Sequence, residues 1–222
     1  MTVTSNGVAE AAPRLGWVLI LSSVAFFMVA LDALVVITAL PQIQKDLGVG
    51  LTSLQWTVNA YNIAVAAGIV TAAVLGDRYG RRRVFVAGLI LFSAASAACA
   101  LAPSVDLLIV ARTIQGLGGA IVLPLSLTIL TESFPVERRA TVVGIYGGLA
   151  GLAVASGPIV GGAVTEGVDW HWIFWINVPF GIAAAFLCTR LLPESRGGAT
   201  GMDLPGVAFV TAGCRERAPH RS

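Results

Sequence analysis

The chain has 222 residues, of which 56% are hydrophobic and 12% charged, with a formal net charge of +2 and a mean hydropathy of +0.84. A water-soluble domain carries about twice that share of charge. A soluble globular protein is therefore excluded: its core could not hide this much apolar surface, and lipid is the expected solvent.

In chain order, residues 1–14 form a short tail carrying Arg14. The first apolar run, 16–40, exceeds the roughly 7–15 residues of a cleavable signal's apolar core, and no small-residue cleavage site follows it. It reads as a first membrane span. Further runs lie at 53–75, 84–102, 107–130, 141–164 and 172–192. Each is near the ~20 residues a helix needs to cross the hydrocarbon core. Helices are expected because lipid leaves no partner for an unpaired backbone, and none of the runs alternates as a barrel strand would.

The connections hold most of the charge. Arg14, Arg78, Arg81, Arg82, Arg83, Arg138, Arg139, Arg190 and Arg196 fall in the tail, the second and fourth loops and the segment after the sixth span, against Lys45 alone in the alternate loops. The excess of basic residues predicts that the first set faces the cytoplasm, with the N-terminus inside a cell (inner) membrane. Trp17, Trp56, Trp170, Trp172 and Trp175 lie at or near span ends, as expected for an aromatic belt. Cys99 and Cys188 inside apolar runs and Cys214 near the end form no disulfide framework or metal spacing, and read as small apolar fillers. His171 and His220 have no ligand partners at usable spacing, and no phosphate-binding glycine loop occurs. The expectation is that the chain is not an enzyme, holds no metal or cofactor, and does not hydrolyse nucleotide. No nucleic-acid partner is expected; the partners are the bilayer, protons and a small solute.

Four segments carry mechanism. The second loop, AVLGDRYGRRR at 73–83, sets Asp77, Arg78, Gly80 and Arg81 in a tight turn between two spans. Such a charge cluster can form ion pairs in one conformation that break in another, a latch; plain positive-inside anchoring is the simpler alternative. Arg112 lies inside the fourth span, where a charge costs at least ~2.5–3.5 kcal/mol, so it faces protein or water. Gln115, Gly116 and Gly119 share its helix face. Asp32 lies inside the first span, where an unpaired carboxylate is expected to bind a proton readily; a structural aspartate bonded to a neighbouring helix is the alternative. The fifth span holds glycines four apart at 144/148, 147/151 and 157/161, which let helices approach closely, and Pro158, which favours a kink.

These segments resemble the major facilitator superfamily. Residues 73–83 are similar to its signature G-x-L-A-D-R-x-G-R-R, with Ala73 for the first glycine and Gly76 for the alanine. RTIQGLGGA at 112–120 is similar to its fourth-helix motif R-x-x-Q-G-x-G-x-A, whose arginine is associated with proton transfer. LDALVVITALP at 31–41 resembles the first-helix motif of the fourteen-span drug/proton antiporters (EmrB/QacA-type), L-D-x-T-I-V-N-V-A-L-P, with Leu34 and Ile37 at its polar positions. GPIVGG at 157–162 matches the antiporter motif G-P-x-x-G-G through Gly157, Pro158, Gly161 and Gly162. QWTVNAY at 55–61 and DWHWIFWINVP at 169–179 look like further segments of that branch.

The resemblance implies an all-α six-helix transmembrane bundle, the N-terminal half of a major facilitator fold, built as two inverted three-helix repeats. Asp32 and Arg112 would begin the two repeats and, with Gln115, line a proton and substrate pathway. The function it implies is proton-driven efflux of drugs or other amphipathic or cationic organic compounds, with the proton gradient as energy source. Transport of another small solute, such as a sugar or metabolite, on the same scaffold, and a half-protein that transports nothing, are the alternatives. The chain is expected to divide into a cytoplasmic tail at 1–14, the bundle at 15–192, a cytoplasmic linker at 193–206, and an incomplete seventh span with an aberrant charged tail at 207–222. On that reading the chain is truncated. It would need the missing C-terminal bundle or a homodimer as partner, and Asp32 and Arg112, alone, would face lipid or that partner.

Overall fold

The computed structural model describes residues 6–167 and 169–196. The described residues form seven helices and no strand: α1 (Asn6–Leu47), α2 (Leu51–Tyr79), α3 (Arg81–Ala100), α4 (Val105–Ser133), α5 (Val136–Gly167), the single turn α6 (Trp172–Trp175) and α7 (Asn177–Leu191). Six stretches are long and apolar enough to cross a membrane, the sixth running through α6 and α7 from Trp172 to Leu191. All six expected spans are present, and most run past the apolar runs into the polar ends. The expected incomplete span and charged tail at 207–222, and most of the linker, lie outside the described residues.

Local chemistry sets the breaks. Gly48 ends α1 in the left-handed region at φ 63°, where its N–H reaches the carbonyl of Gln44 at 3.0 Å. Gly80, at φ 103°, is the single residue between α2 and α3. Ser104 caps α4, its hydroxyl accepting from the Leu107 N–H, with Asp106 in the first turn where the helix dipole favours an acid. Pro135 separates α4 from α5. The α6–α7 break at Ile176 lies three residues before Pro179, which offers no N–H to the carbonyl of Trp175. Pro124 and Pro158, by contrast, sit within continuous helices.

α4 is the axis of the bundle, packed against α2, α3 and α1; α1 also packs on α5 and α7, and α3 on α7. Glycine makes the tightest of these contacts possible. A Cβ on Gly116 would lie 2.6 Å from the Tyr61 carbonyl of α2, and one on Gly118 would lie 2.7 Å from the Phe92 nitrogen of α3. The α5–α1 contact uses Gly157, against Leu34, and Gly161, against Thr38. The other expected pairs behave differently. Nothing lies within 4 Å of a Cβ built on Gly144, Gly147, Gly148 or Gly151, so close helix approach is confined to the second half of α5. In the α2–α3 signature, Gly76 packs on Leu125, whereas Ala73 is exposed.

The outside is apolar. Ile63, Val70, Ile90, Ile159, Phe180 and Phe186 are among its exposed large side chains, a surface suited to lipid and not to water. The belt of tryptophans is only partly as expected. Trp17, Trp56 and Trp172 are 43%, 51% and 51% exposed, but Trp170 is buried at 1% because its indole N–H donates to Asp46 at 3.0 Å and its ring stacks on His171.

Candidate functional site: a buried carboxylate held by four helices

Asp32 lies in the middle of α1 and Arg112 faces it from α4. Arg112 Nη1 donates to Asp32 Oδ2 at 2.6 Å, and both side chains are 1% exposed. Asp32 is therefore not a lone carboxylate but is bonded to a neighbouring helix. The expectation that the pair faces lipid or a partner is corrected: the helices of this chain enclose it by themselves. The physical reason is the cost of an isolated charge in an apolar medium, which falls when opposite charges meet and every lone pair is satisfied.

The second carboxylate oxygen, Oδ1, accepts from Gln115 Nε2 at 3.0 Å and from Asn177 Nδ2 at 2.7 Å. Gln115 also takes a hydrogen bond from Arg112 through its Oε1, at 2.8 Å, and one from the Cys99 thiol at 3.5 Å. Asn177 reaches Ser96 Oγ at 3.2 Å, and that hydroxyl donates to the Phe174 carbonyl at 2.9 Å. The guanidinium of Arg112 lies 4.0 Å from the centroid of the Tyr61 ring, a cation–π contact from α2. Arg112 Nε has no partner among the described residues.

Sequence reasoning placed Asp32, Arg112 and Gln115 on one pathway, and they meet. It assigned no role to Asn177, Ser96 or Tyr61. The signal for Asn177 was present: an amide in the apolar run 172–192, which in lipid needs a protein partner.

The second cluster is at the α2–α3 turn. Arg81 Nη2 pairs with Asp77 at 2.6 Å and its Nη1 pairs with Glu132 at the end of α4. The N–H of Arg81 donates to the Ser195 carbonyl at 2.9 Å, and that of Arg82 to Glu194 Oε1 at 3.1 Å. Glu194 also lies 3.4 Å from Arg82 Nε and 3.6 Å from Arg83 Nε. The segment after α7 therefore caps the free N–H groups at the start of α3. Of the expected latch residues, Asp77, Gly80 and Arg81 join one cluster, while Arg78 stacks on Tyr79 instead. Glu132 and Glu194 were missed, since nothing in sequence brings chain-distant acids to the turn.

At the opposite end, His171 Nδ1 and Asp169 Oδ1 lie 2.6 Å apart. Slight burial opposes charge on Asp169, but the hydrogen bonds from His171 outweigh it and hold the carboxyl below its usual range. Among the described residues no group of three potential metal ligands occurs.

Apolar spans around a buried ion pair define a multi-pass membrane protein. Residues 22–205 match the Major Facilitator Superfamily, and the chain belongs to that family. It is 38% identical over 191 residues to the Tetracenomycin C resistance and export protein of Streptomyces glaucescens, covering 85% of this chain and 36% of the relative. It is 40% identical over 168 residues to Multidrug resistance protein 3 of Bacillus subtilis (strain 168), covering 76% of this chain and 33% of the relative. A bacterial homolog of the human lysosomal transporter Spinster, inward-facing and occupied, superposes with a TM-score of 0.73 at 21% identity, over 85% of this chain and 46% of that one. The chain thus spans about a third of the length of these curated relatives and about half of the solved chain. The fold is that of the N-terminal half of a major facilitator.

Proposed function

We propose that this bundle is the proton-coupling half of an exporter for drugs or other amphipathic, mainly cationic, organic compounds, in the branch of fourteen-span drug/proton antiporters. The buried Asp32–Arg112 pair carries the reading. A proton and an organic cation compete for the same carboxylate, and a carboxylate that holds one is a poor site for the other. Such exclusion is what exchange of a proton for a cation requires. The proton gradient is the energy source, and no cofactor takes part. The GPIVGG segment pressed on α1 at Leu34 and Thr38 supports export, as does its place in the antiporter motif.

Alternating access needs a second wall that moves against the first. That wall is a second six-helix bundle, supplied by a C-terminal half or by another copy. The bundle sits in the cell membrane with its N-terminus and the α2–α3 turn in the cytoplasm, because the basic residues gather at that end. Labelling from outside intact cells should reach Lys45→Cys and miss Arg138→Cys; the reverse pattern would invert the topology.

The functional test joins this chain to the part of the Bacillus subtilis protein that it does not match, in a host lacking its own efflux pumps. The chimaera should extrude ethidium in a protonophore-sensitive way, and Asp32→Asn should abolish extrusion at unchanged membrane levels. Undiminished extrusion by Asp32→Asn would remove the carboxylate from coupling.

A further inference from the structure

Asp32 as a carboxylate accepts three donors: Arg112 Nη1 on Oδ2, and Gln115 Nε2 and Asn177 Nδ2 on Oδ1. An ionised carboxylate has about four acceptor positions and no donor, so all three are satisfied. Three donors leave one position free, on Oδ2 beside the Arg112 guanidinium, where a proton would face a positive charge; on Oδ1 a proton leaves room for only one of the two amides. The donor costliest to strip is Arg112, which carries the charge. The proton therefore belongs on Oδ1, against the two amides. Gln115 stays with α4 whatever happens, because its Oε1 takes a bond from Arg112 on the same helix. Asn177 belongs to a different helix and, among the described residues, its amide has Ser96 and the Ile173 carbonyl as further partners, at 3.2 and 3.5 Å. It is the donor that must leave or turn over. The titratable groups beside Asp32 are Arg112 of α4, Tyr61 of α2 and Cys99 of α3.

Asn177 is also the first residue of α7, and Ser96 ties it to the carbonyl of Phe174 in α6. From there α7 runs 15 residues, a rod of roughly 22 Å. The segment beyond its far end grips the α2–α3 turn, through Leu192 O to Arg82 Nη1 at 3.0 Å, Glu194 to the Arg82 N–H and Ser195 O to the Arg81 N–H. One helix and the extended segment that follows it thus join the buried carboxylate to the α2–α3 turn.

We propose that Asn177 is a positioning residue that reads the protonation state of Asp32: its amide lets go when the carboxylate takes a proton, and α7 passes the release to the α2–α3 turn. This rests on the reading of Asp32 as the proton-binding group.

The test is hydrogen–deuterium exchange of the 222-residue chain in lipid nanodiscs at one pH, needing neither substrate nor gradient. It therefore reads the strut independently of whether efflux depends on Asp32. Asp32→Asn, a neutral stand-in for the protonated carboxyl, should speed exchange across residues 80–84 roughly tenfold, the scale of one lost hydrogen bond to a charged group. In an Asn177→Leu background exchange there should already be fast, and Asp32→Asn should add nothing. Should Asn177→Leu fail to fold, Asn177→Thr carries the same comparison. Glu194→Gln, which weakens the grip itself, should speed exchange in either background. Unchanged exchange at 80–84 in Asp32→Asn would overturn the proposal, as would an equal increase with and without Asn177.

Discussion

The chain holds two ionic clusters of similar composition in opposite surroundings. The Asp32–Arg112 pair is 1% exposed on both sides, and α1, α3, α4 and α7 supply its hydrogen-bond network. At the α2–α3 turn Arg81 is 10% exposed, but its partners Asp77 and Glu132 are 52% and 42% exposed. In the first, the pair is shielded from bulk water, and the only inexpensive change is the arrival of a proton or a rival cation. In the second, water and salt replace any partner that moves away, so the pairs break and reform at little cost. A transporter needs both kinds: a site that responds only to its ligands, and a fastening that releases easily.

The largest effect expected from breaking this contrast is at Arg112. Arg112→Ala leaves Asp32 buried without its countercharge and should cost about 3–5 kcal/mol, read as a fall in the unfolding midpoint of the purified chain. Adding Asp32→Asn should recover much of the loss, since the double variant has no stranded charge. A double variant less stable than Arg112→Ala would show that packing, not charge, holds the site.

Next is the contact that presses α5 on the helix carrying Asp32. Gly161→Ala drives a methyl into Thr38, with the Val35 carbonyl at 3.2 Å, and should cost about 1–3 kcal/mol. Gly148→Ala meets nothing within 4 Å and should be neutral or stabilising by up to about 1 kcal/mol. Equal losses at both positions would mean that α5 packs along its whole length.

The smallest effect belongs to the exposed cluster. Asp77→Asn should cost at most about 1 kcal/mol, and raising the salt from 0.1 to about 1 M should shrink it further. The cost of Arg112→Ala should stay nearly constant over the same range. Salt sensitivity at Arg112 would place water at the buried pair.

The sequence pattern made the six spans legible, because lipid imposes a length and a hydropathy that few residues can evade. It also placed Asp32, Arg112 and Gln115, since polar groups inside apolar runs need a reason to be there. Their pairing was not legible. One sequence gives the face a residue occupies on its own helix and not the rotation of that helix against its neighbours, which Gly116 and Gly118 set by admitting α2 and α3. Trp170 was misread for the same cause: it stands at a span end like the other tryptophans, but Asp46 draws it inward. Glu132 and Glu194 were invisible as partners of the α2–α3 turn, because acids at span ends are ordinary and only the fold brings them to Arg81, Arg82 and Arg83.

The central claim is that Asp32 is a buried carboxylate that takes up a proton. Infrared difference spectroscopy on the chain in lipid, stepped from alkaline to acidic pH, tests it most directly. Asp32 is the one buried acid among the described residues, so acidification should produce a carboxyl C=O band from a water-poor site. Asp32→Asn should remove that band, and Asp77→Asn should leave it in place. A spectrum without such a band, or a band that survives Asp32→Asn, would contradict the account.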